Sequence, residues 1–422
     1  MTLRTELAII GGGPAGLAAA ITAARRGVAV TLVEIADTPG GATALHPHHY
    51  PGTHYPGTEI GPRLWAAAIA AGVTLLPRTA AWGLFEDDTF ALATDYGTAS
   101  ERMETLHADA VLLATGAIDR YPPFAGDTIP GVMTATAALT AIVRWGVRPG
   151  TAALVVGAGA EAIAVADALS GAGMTVGTVP TCDSLRAEAG PDGALVAAHW
   201  QGTTFAVDTL VLAVAREPSC ALAQMRDCPL TYDTAGGGYV PMHDATMHTA
   251  IPLLSVAGDA AGVRDAGTAM AQGQTAAHAI ADRLGKPVVA VSLPLMIPPG
   301  AFRPMLPTTP ANTSDPAANR AWLEDDALTA CRCEGVTVAE VRAAIRACAR
   351  TPGDVKRRTR VGNGACQGRW CGDNVAQLIS TATGQPMAAL TPMNARAPVV
   401  PVSLGALADA AALTALISNG DL

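Results

Sequence analysis

Aromatic and charged side chains are both scarce in this sequence. Only 4% of its 422 residues are Phe, Trp or Tyr and 15% are charged, whereas half are hydrophobic and Gly and Ala abound. Proteins that bind nucleic acids typically use stacked aromatic rings and a surplus of cations, and the net charge here is −9. We therefore expect no nucleic-acid partner, and we expect a large core of small, closely packed side chains.

Long apolar runs are absent as well. No hydrophobic segment approaches the roughly 20 residues that a membrane-spanning helix needs. The N-terminus predicts no signal peptide, because the apolar run that begins at Leu7 is already the first strand of the fold. The sequence therefore predicts a chain without a transmembrane segment.

Cysteines spaced as C-x-x-C are absent from the parts of the chain that read as nucleotide-binding. Cys182, Cys220, Cys228 and Cys348 stand alone, which excludes dithiol chemistry and is typical of buried thiols. The other four cysteines form one late cluster, a pattern that favours metal ligation in a reducing compartment over a disulfide framework. We therefore expect a cytoplasmic protein, with peripheral attachment to the inner membrane through a complex left open.

The first 34 residues carry a dinucleotide-binding fingerprint. An apolar run, a glycine turn at Gly11–Gly16, an alanine-rich helical stretch and a second apolar run, Val28–Val33, follow in order, and Glu34 comes next. An ordinary glycine turn is the alternative, but strand, turn, helix, strand and acid in this order favour nucleotide binding.

Each residue of this fingerprint has a mechanical role. Gly11 permits the tight turn, Gly13 lets the backbone approach a pyrophosphate, and Gly16 lets the helix pack on its strand. Pro14 and Ala15 open the helix, whose N-terminus presents N–H groups and a positive dipole end to the phosphates. The carboxylate of Glu34 would hold a ribose hydroxyl.

Other glycine-rich turns follow buried strands and extend the predicted site. Gly41 belongs to a turn shortly after Glu34. A loop with His46, His48, His49 and His54 comes next; it could bind a metal, lie near a flavin ring or be a plain loop, and its irregular spacing favours the plain loop. Two later strand ends let the backbone pass close to a ligand, and they contribute the candidate cofactor-binding residues Ala114, Thr115, Gly116, Gly258 and Asp259.

A second fingerprint repeats the first. Strand Ala153–Val156 is followed by Gly157 and Gly159, which predicts a second nucleotide-binding fold. The next strand ends at Pro180-Thr181, without a carboxylate for a ribose. This fold could therefore bind NAD(H), bind another nucleotide or be vestigial, and NAD(H) is a doubtful cofactor.

The late cluster comprises Cys331, Cys333, Cys366 and Cys371. Four thiolates satisfy either tetrahedral zinc or a 2Fe–2S cluster, and C-x-C followed by C-x4-C does not match zinc knuckles. Between the pairs, Thr337–Glu340 forms a capping box that predicts a helix to about Ala349. We also expect Asp373 to cap a helix that begins after Cys371, and the basic run at residues 356–360 to lie near the cluster or at a partner surface.

These motifs together resemble two families of known proteins. Gly11–Gly16, Glu34, Ala114–Gly116 and Ala257–Asp259 resemble the flavoprotein reductases with two dinucleotide-binding domains, and the four cysteines resemble the bacterioferritin-associated ferredoxin-like 2Fe–2S module. The resemblance implies an α/β fold of two Rossmann-like domains, the second inserted in the first, plus a small C-terminal helical 2Fe–2S domain. It implies that FAD and a 2Fe–2S cluster are the cofactors. The expected domains are an FAD-binding domain at 1–120 and 246–290, an NAD(P)-type domain, functional or vestigial, at 121–245, a linker at 291–325, and the cluster domain with its tail at 326–422.

Over nearly the whole chain, the order of motifs resembles the FAD/2Fe–2S subunits of opine oxidase, hydrogen cyanide synthase and the dye-linked proline and hydroxyproline dehydrogenases. That resemblance implies a partner flavoprotein subunit of the amino-acid-oxidase type, with or without a further small subunit. The partner would oxidise an amino acid, an imino acid or an opine-type secondary amine, and this chain would pass electrons to a small-molecule acceptor. Some members hold FMN at the subunit interface.

No residue of this chain stands out as a catalytic acid or base, which agrees with substrate oxidation in a partner. Two other interpretations remain: a stand-alone NADH-dependent flavin/iron–sulfur reductase, and a nucleotide-binding scaffold with a zinc site.

Overall fold

A computed structural model describes residues 2–50, 53–85, 89–299 and 321–408. Its first sheet has seven strands, whose central ones are parallel. The last four residues of Thr2–Ile10 and of Arg102–Leu113 are buried and apolar, as expected where a parallel sheet is covered on both faces. Strand Arg102–Leu113 pairs differently along its length. Its first half pairs in antiparallel fashion with Thr89–Thr94, and its last residues pair in parallel with Leu254–Val256. The strands are Thr2–Ile10, Val30–Val33, Thr74–Leu76, Ala80–Leu84, Thr89–Thr94, Arg102–Leu113 and Leu254–Val256.

Two helices lie closely together against this sheet. Helix Pro14–Arg25 is made largely of alanine, and helix Ala266–Arg283 brings Gly273 against it. A Cβ on Gly273 would lie 2.1 Å from the carbonyl oxygen of Ala15, so only glycine permits this approach. Helix Gly57–Ala70 packs against Pro14–Arg25 and completes the layer.

The second sheet has four parallel strands, in the spatial order Thr175–Val179, Ala152–Val156, Thr209–Leu212 and Val132–Thr134. Alternate side chains of its strands point to opposite faces, so Leu154 and Val156 lie in one apolar cluster and Ala153 and Val155 in another. The remaining elements are helices Ala135–Leu139 and Ala160–Gly171 and an antiparallel meander of Arg186–Ala189, Leu195–Trp200 and Thr203–Phe205.

The chain passes between the two sheets through a pair of short antiparallel strands, Ala117–Asp119 and Arg216–Pro218. Helix Ala221–Met225 and hairpin Leu230–Asp233/Gly238–Pro241 follow. Leu222 lies in the buried apolar cluster of the first sheet, although the sequence placed residues up to 245 with the second fold. The domain boundaries themselves stay a prediction.

The third unit is helical and has its own apolar core. The predicted capping box is present: the Thr337 hydroxyl accepts from the Glu340 N–H, and the Glu340 carboxylate accepts from the Thr337 N–H at 2.8 Å. That helix ends at Arg346 rather than near Ala349. The elements are Ala321–Glu324, Thr329–Cys331, Val336–Thr337, Val338–Arg346, Pro352–Thr359, Gly372–Thr383, Met387–Ala389 and Leu404–Leu407.

The prediction that Asp373 caps the helix after Cys371 was wrong. Cys371 itself occupies the capping position, and no side chain caps it. The Asp373 carboxylate instead forms an ion pair with Arg120, at 3.1 Å from its Nη1. A buried carboxylate is stabilised more by a neighbouring cation than by a helix N-terminus. The ion pair between Asp373 and Arg120 therefore joins the third unit to the second.

Most of the predicted linker, residues 300–320, lies outside the described ranges. Within those ranges, no helix combines the length and the hydrophobicity needed to cross a membrane.

Candidate functional site

The glycine turn has the geometry that its sequence predicts. Gly11 has a φ of +115°, and a Cβ there would lie 2.2 Å from the carbonyl oxygen of Ala114. A Cβ on Gly16 would lie 1.9 Å from the carbonyl oxygen of Gly11, so any side chain would push the helix off its strand. A Cβ on Gly13, in contrast, would meet only the Cα of Gly41, at 4.0 Å. Gly11 and Gly16 are therefore packing glycines, whereas Gly13 borders open space.

That open space is a cleft of about 340 Å³ between the units. It brings together residues that are far apart in the chain, from Gly11 to Asp259. The predicted residues that line it are Gly11, Gly13, Pro14, Ala15, Glu34, Gly41, Ala114, Thr115, Gly116, Gly258 and Asp259. Gly16 does not line the cleft; it lets the helix pack closely against the glycine turn.

Glu34 marks one end of the cleft. Its Oε2 accepts from the N–H of Gly12 at 2.6 Å and its Oε1 from the N–H of Ala36 at 2.7 Å. Burial raises the pKa of Glu34, and the two backbone hydrogen bonds oppose that shift. A carboxylate oxygen can accept more than one hydrogen bond, so Glu34 can also hold a hydroxyl group in the cleft.

Arg216 and Asp259 mark the other end. Asp259 accepts from Nη1 of Arg216 at 3.1 Å and from the N–H of Arg264 at 3.1 Å. Arg216 also donates to the carbonyl oxygen of Ala117 at 2.8 Å, and its Nε lies 3.8 Å from Asp119. Among the described residues, this buried Nε has no hydrogen-bond acceptor, and it faces the Asp119 carboxylate beyond hydrogen-bonding distance.

His46, Tyr50 and Glu161 line the same end of the cleft. Nδ1 of His46 lies 2.5 Å from the hydroxyl group of Tyr50, and burial lowers the pKa of His46 to about 3, so its ring is neutral. Glu161 is in the first turn of the helix that follows the second glycine turn. Burial raises its pKa to about 7; Arg216 opposes that shift, and Asp119 and Asp259 add to it.

These features fit FAD. The space at Gly13 is a cradle that a Cβ would fill, and the helix N-terminus at Pro14 and Ala15 favours phosphate. The carboxylates of Glu34 and Asp259 line the same cleft and can accept hydrogen bonds from hydroxyl groups. The flavin alternative for His46 gains support from its position in the cleft. Within the described ranges, no three or more His, Cys, Asp or Glu side chains converge as ligands of a single metal ion.

The second fingerprint repeats the first turn but does not line this cleft with its glycines. A Cβ on Gly157 would lie 2.0 Å from the carbonyl oxygen of Ala213, just as a Cβ on Gly11 would lie 2.2 Å from that of Ala114. Gly159 has a φ of +103° and precedes the helix. The first turn of that helix carries Glu161, whose negative charge would repel a pyrophosphate at the place where such a helix usually binds one.

The third unit brings the four predicted cysteines together as two pairs rather than as one set of ligands around a single ion. Their thiols interact as two pairs, Cys331 with Cys371 and Cys333 with Cys366. A hydrogen bond from the Cys371 thiol and three backbone N–H groups lower the pKa of Cys331 to about 6 despite burial, whereas the pKa of Cys371 is raised. Two pairs of thiols suit a 2Fe–2S cluster, which has two irons and four thiolate ligands, better than one tetrahedral zinc.

The basic run lies beside this cluster at the surface. Arg360 forms an ion pair with Glu334, which follows Cys333, at 2.9 Å. Arg357 pairs with Asp354 at 2.7 Å within its own helix. Arg357, Arg358 and Arg360 all reach the surface, so the run is available to a partner, and that role stays a prediction.

Four residues of the cleft, Tyr50, Glu161, Arg216 and Arg369, were not predicted from the sequence. Glu161 offered a weak signal, since an acid directly after a G-x-G-x turn is unfavourable for phosphate binding. Arg216 and Arg369 offered none, because only the packing of the units brings them to the cleft.

Two family models match separate parts of the chain. The pyridine nucleotide-disulphide oxidoreductase family matches residues 5–194, and the BFD-like [2Fe-2S] binding domain matches residues 329–381, which include all four clustered cysteines. These matches agree with the fold and with both predicted cofactors.

Full-length relatives share both parts. An opine oxidase subunit of Rhizobium meliloti (strain 1021) is 28% identical over 95% of this chain and 98% of that protein. HcnB, a hydrogen cyanide synthase subunit of Pseudomonas aeruginosa, is 26% identical over 89% of this chain and 93% of that protein. The alpha subunit of sarcosine oxidase from Corynebacterium sp. (strain P-1) is 27% identical over 96% of this chain, but the match spans only 45% of that longer protein.

Solved structures show the same fold. L-proline dehydrogenase from P. horikoshii superposes with a TM-score of 0.79 at 24% identity, over 96% of this chain and 80% of that one. Thioredoxin reductase from T. acidophilum has a TM-score of 0.54 at 18% identity, over 67% of this chain and 99% of that one. The chain is therefore a homologue of these opine oxidase subunits, of the sarcosine oxidase alpha subunits and of HcnB, and it is a flavin-dependent oxidoreductase with FAD and a 2Fe–2S cluster as cofactors.

Proposed function

We propose that this chain is the electron-transferring FAD/2Fe–2S subunit of a heteromeric dehydrogenase or oxidase. Its partner, a flavoprotein subunit of the amino-acid-oxidase type, oxidises an amino acid, an imino acid or an opine-type secondary amine. The observation that carries this proposal is the union, in one chain, of a dinucleotide cleft and a four-thiol cluster. The relatives that match along almost their full length support it, since each is named as one subunit of a larger enzyme.

The residues of the chain have separate tasks in this proposal. Gly11, Gly13 and the helix that begins at Pro14 hold the pyrophosphate, Glu34 holds the adenosine ribose, and Asp259 holds the ribityl chain. Ala15, Gly41, Ala114, Thr115, Gly116 and Gly258 line the remaining wall. Cys331, Cys333, Cys366 and Cys371 hold the cluster. Bound in these sites, FAD would supply the exchange of electron pairs for single electrons, and the cluster would supply a one-electron carrier.

The chain itself carries out no bond-breaking step on the substrate in this proposal. The titratable groups at the far end of the cleft, His46, Tyr50, Glu161 and Asp259, surround the cofactor site and are largely buried. They orient and electrostatically tune that site, and they keep bulk water from it. Electrons leave for a small-molecule acceptor. A further small subunit, and FMN at the subunit interface, are additional components that the resemblance implies.

A stand-alone NADH-dependent reductase is the second candidate. The repeated glycine turn at Gly157 and Gly159 favours it. Two observations oppose it: the absence of a ribose-binding acid at Pro180-Thr181, and the carboxylate of Glu161 in the first turn of the helix.

Absorption and low-temperature EPR spectroscopy tests the two functions against each other. The chain is purified alone and co-expressed with the product of its neighbouring gene, and spectra are recorded before and after NADH. Flavin bands and a 2Fe–2S signal that NADH does not reduce, but that an amine or imino-acid substrate of the complex does reduce, are the expected result. Rapid bleaching of the isolated chain by NADH would instead establish the reductase. FMN in the complex would appear as a second flavin on extraction and chromatography.

A further inference from the structure

A C-terminal segment returns from the cluster unit to the first sheet. This strap, residues 397–403, lies along the hairpin of the first sheet. The N–H of Val399 donates to the carbonyl oxygen of Trp82 at 2.8 Å, and the Tyr96 hydroxyl donates to the carbonyl oxygen of Pro401 at 2.8 Å. The N–H of Ser403 donates to Glu101 at 2.7 Å. Val399 is buried in the core of the first sheet. The strap is therefore a docked part of the fold.

The strap forms one wall of the dinucleotide cleft. Val399 and Val400 line it together with Thr79 and Ala81. Thr79 is adjacent to Glu34, since its N–H donates to the carbonyl oxygen of Glu34 at 2.9 Å. Because Glu34 marks the ribose end of the fingerprint, the strap covers the adenosine half of the site and not the end that holds Arg216.

Arg369 connects this wall to the cysteine cluster. It lies between Cys366 and Cys371 in sequence, it lines the cleft, and its Nη2 donates to the carbonyl oxygen of Val399. A planar guanidinium can hold a carbonyl group with one edge and cover an adenine ring with its face, which a lysine cannot do.

The loop that carries Arg369 is also packed tightly against the segment that leads into the strap. A Cβ on Gly362 would lie 2.5 Å from the sulfur of Met393, and one on Gly368 would lie 3.0 Å from it. Gln224 donates to the carbonyl oxygen of Met393 at 3.2 Å. The conformation of the cysteine loop and the position of the strap are thus set together.

We propose that Arg369 and the strap belong to the dinucleotide site, so that a filled cysteine cluster and the bound adenosine half of FAD stabilise each other. The proposal rests on the assignment of FAD and the cluster made above. Ligation at Cys366 and Cys371 fixes the ends of the loop, the fixed loop holds Arg369, and Arg369 holds the strap over the cleft. Less conformational entropy is then lost when the nucleotide binds. Coupling of this kind is reciprocal, so FAD also stabilises the cluster.

The test compares nucleotide affinity with and without the cluster. FAD is removed from the protein, and half of the sample is freed of iron with an anaerobic chelator. Calorimetry then gives the Kd of FAD and of ADP for each form. We expect the cluster-loaded form to bind both ligands about tenfold more tightly, and FMN, which lacks adenosine, to show no such difference. Reciprocally, saturating FAD should slow the loss of the cluster to the chelator.

Two variants of the loaded protein separate this coupling from general damage. Arg369→Lys keeps the charge but not the planar fork, and it should weaken FAD and ADP binding about tenfold, to the level of the cluster-free form. The control is Arg342→Gln, on helix Val338–Arg346, which pairs with Glu324 and Asp326 and does not line the cleft. It should bind FAD as the wild type does.

The outcomes are distinguishable from failure of the proposed function. Equal affinities of the two wild-type forms for ADP, or unchanged affinity in Arg369→Lys, would overturn the coupling while FAD binding itself stands. No FAD binding in either form would overturn the proposed cofactor site, and the coupling with it. Circular dichroism shows whether the cluster-free form is folded; if it is not, the Arg369→Lys comparison in the loaded form decides.

Discussion

At the scale of single residues, the far end of the cleft concentrates buried charge around Arg216. One guanidinium there faces the carboxylates of Asp119, Glu161 and Asp259. Burial and the two neighbouring carboxylates raise the pKa of Glu161 to about 7, although Arg216 opposes this. The group therefore changes charge near neutral pH, inside the cofactor site.

The raised pKa of Glu161 predicts a pH dependence of stability. Between about pH 4.5 and pH 7, Glu161 keeps its proton in the folded chain, whereas in the unfolded chain, where its pKa is 4.5, it has released that proton. The free energy of unfolding contributed by this group therefore falls as the pH rises from about 4.5 to about 7. We expect Glu161→Gln, which cannot ionise, to be more stable than the wild type by about 1–3 kcal/mol at pH 8 and to lose that advantage at pH 4. Urea unfolding of both proteins at several pH values measures this, and a difference that does not vary with pH would contradict it.

A second residue-scale prediction concerns Gly16. Because an alanine Cβ there would lie 1.9 Å from the carbonyl oxygen of Gly11, Gly16→Ala must displace the helix from the glycine turn. We expect FAD affinity to fall at least tenfold and stability to drop by about 1–3 kcal/mol. The matched control is Gly72→Ala, where φ is +85° but nothing lies within 4 Å. It should cost about 1 kcal/mol from backbone strain alone and leave FAD binding intact. Equal FAD content in both purified variants would count against the turn as the pyrophosphate site.

At the scale of elements, one ion pair joins the cluster unit to the rest of the chain. Arg120 follows strand Ala117–Asp119 and contacts both oxygens of Asp373, at 3.1 and 3.2 Å, and the carbonyl oxygen of Gly237 at 2.9 Å. The side chains of Arg120 and Asp373 are only 12% and 7% exposed. Burial and Asp373 raise the pKa of nearby Glu217 to about 8, and Arg120 opposes that shift. Arg120 is thus shared by two buried acids.

Removal of Arg120 would leave the Asp373 carboxylate buried without its cation. We expect Arg120→Ala to lower the free energy of unfolding by about 3 kcal/mol and to increase amide hydrogen exchange in helix Gly372–Thr383. The control, Arg102→Ala, removes an ion pair with Asp95 whose arginine side chain is 62% exposed, and it should cost at most about 1 kcal/mol. Similar losses in the two variants would show that the pair does not hold the units together.

At the scale of the whole molecule, the chain places two redox sites in one packed body. The strap and Arg369 join the cysteine loop to the dinucleotide cleft, and Asn374 donates to the carbonyl oxygen of Tyr121 at 3.1 Å across the boundary between the second fold and the cluster unit. In the proposed function, electrons pass from the cleft to the cluster within this chain, and the substrate is oxidised in the partner subunit.

This arrangement predicts that loss of the cluster stops electron transfer through this chain without loss of FAD. Cys366→Ser should lose the 2Fe–2S absorbance and EPR signal, retain FAD at saturating concentration, and transfer electrons from the complex to one-electron acceptors at least roughly 100-fold more slowly, because ligation by four thiolates is incomplete. Cys348→Ser is the control: Cys348 lies outside the cluster, and the prediction that its thiol is buried was wrong, because the side chain is exposed. Normal electron transfer by Cys366→Ser to every acceptor tested would show that the cluster is not on the path.

Local chemistry explains how much of this protein could be predicted. The glycine turn, the strands on both sides of it and the Thr337 capping box depend on neighbours within a few residues, so their sequence patterns predicted them. The repeated turn at Gly157 followed from the same pattern. The prediction that Asp373 caps a helix was wrong because its ion-pair partner, Arg120, lies 253 residues away in the chain.

The sequence by itself determined the two glycine turns with their Rossmann-like folds and the four clustered thiols, since both are short motifs with demanding chemistry. The helical cluster domain and the two cofactors followed from the resemblance of these motifs to known families. Only the tertiary structure decided what surrounds the cofactor site. Glu161 and Arg216 come from the second fold and its connection to the first, and Arg369 and Val399 from the cluster unit and its strap. These residues reach one cleft because the three units bury their apolar faces and pair their charges against each other, and such long-range packing leaves no local pattern in the sequence.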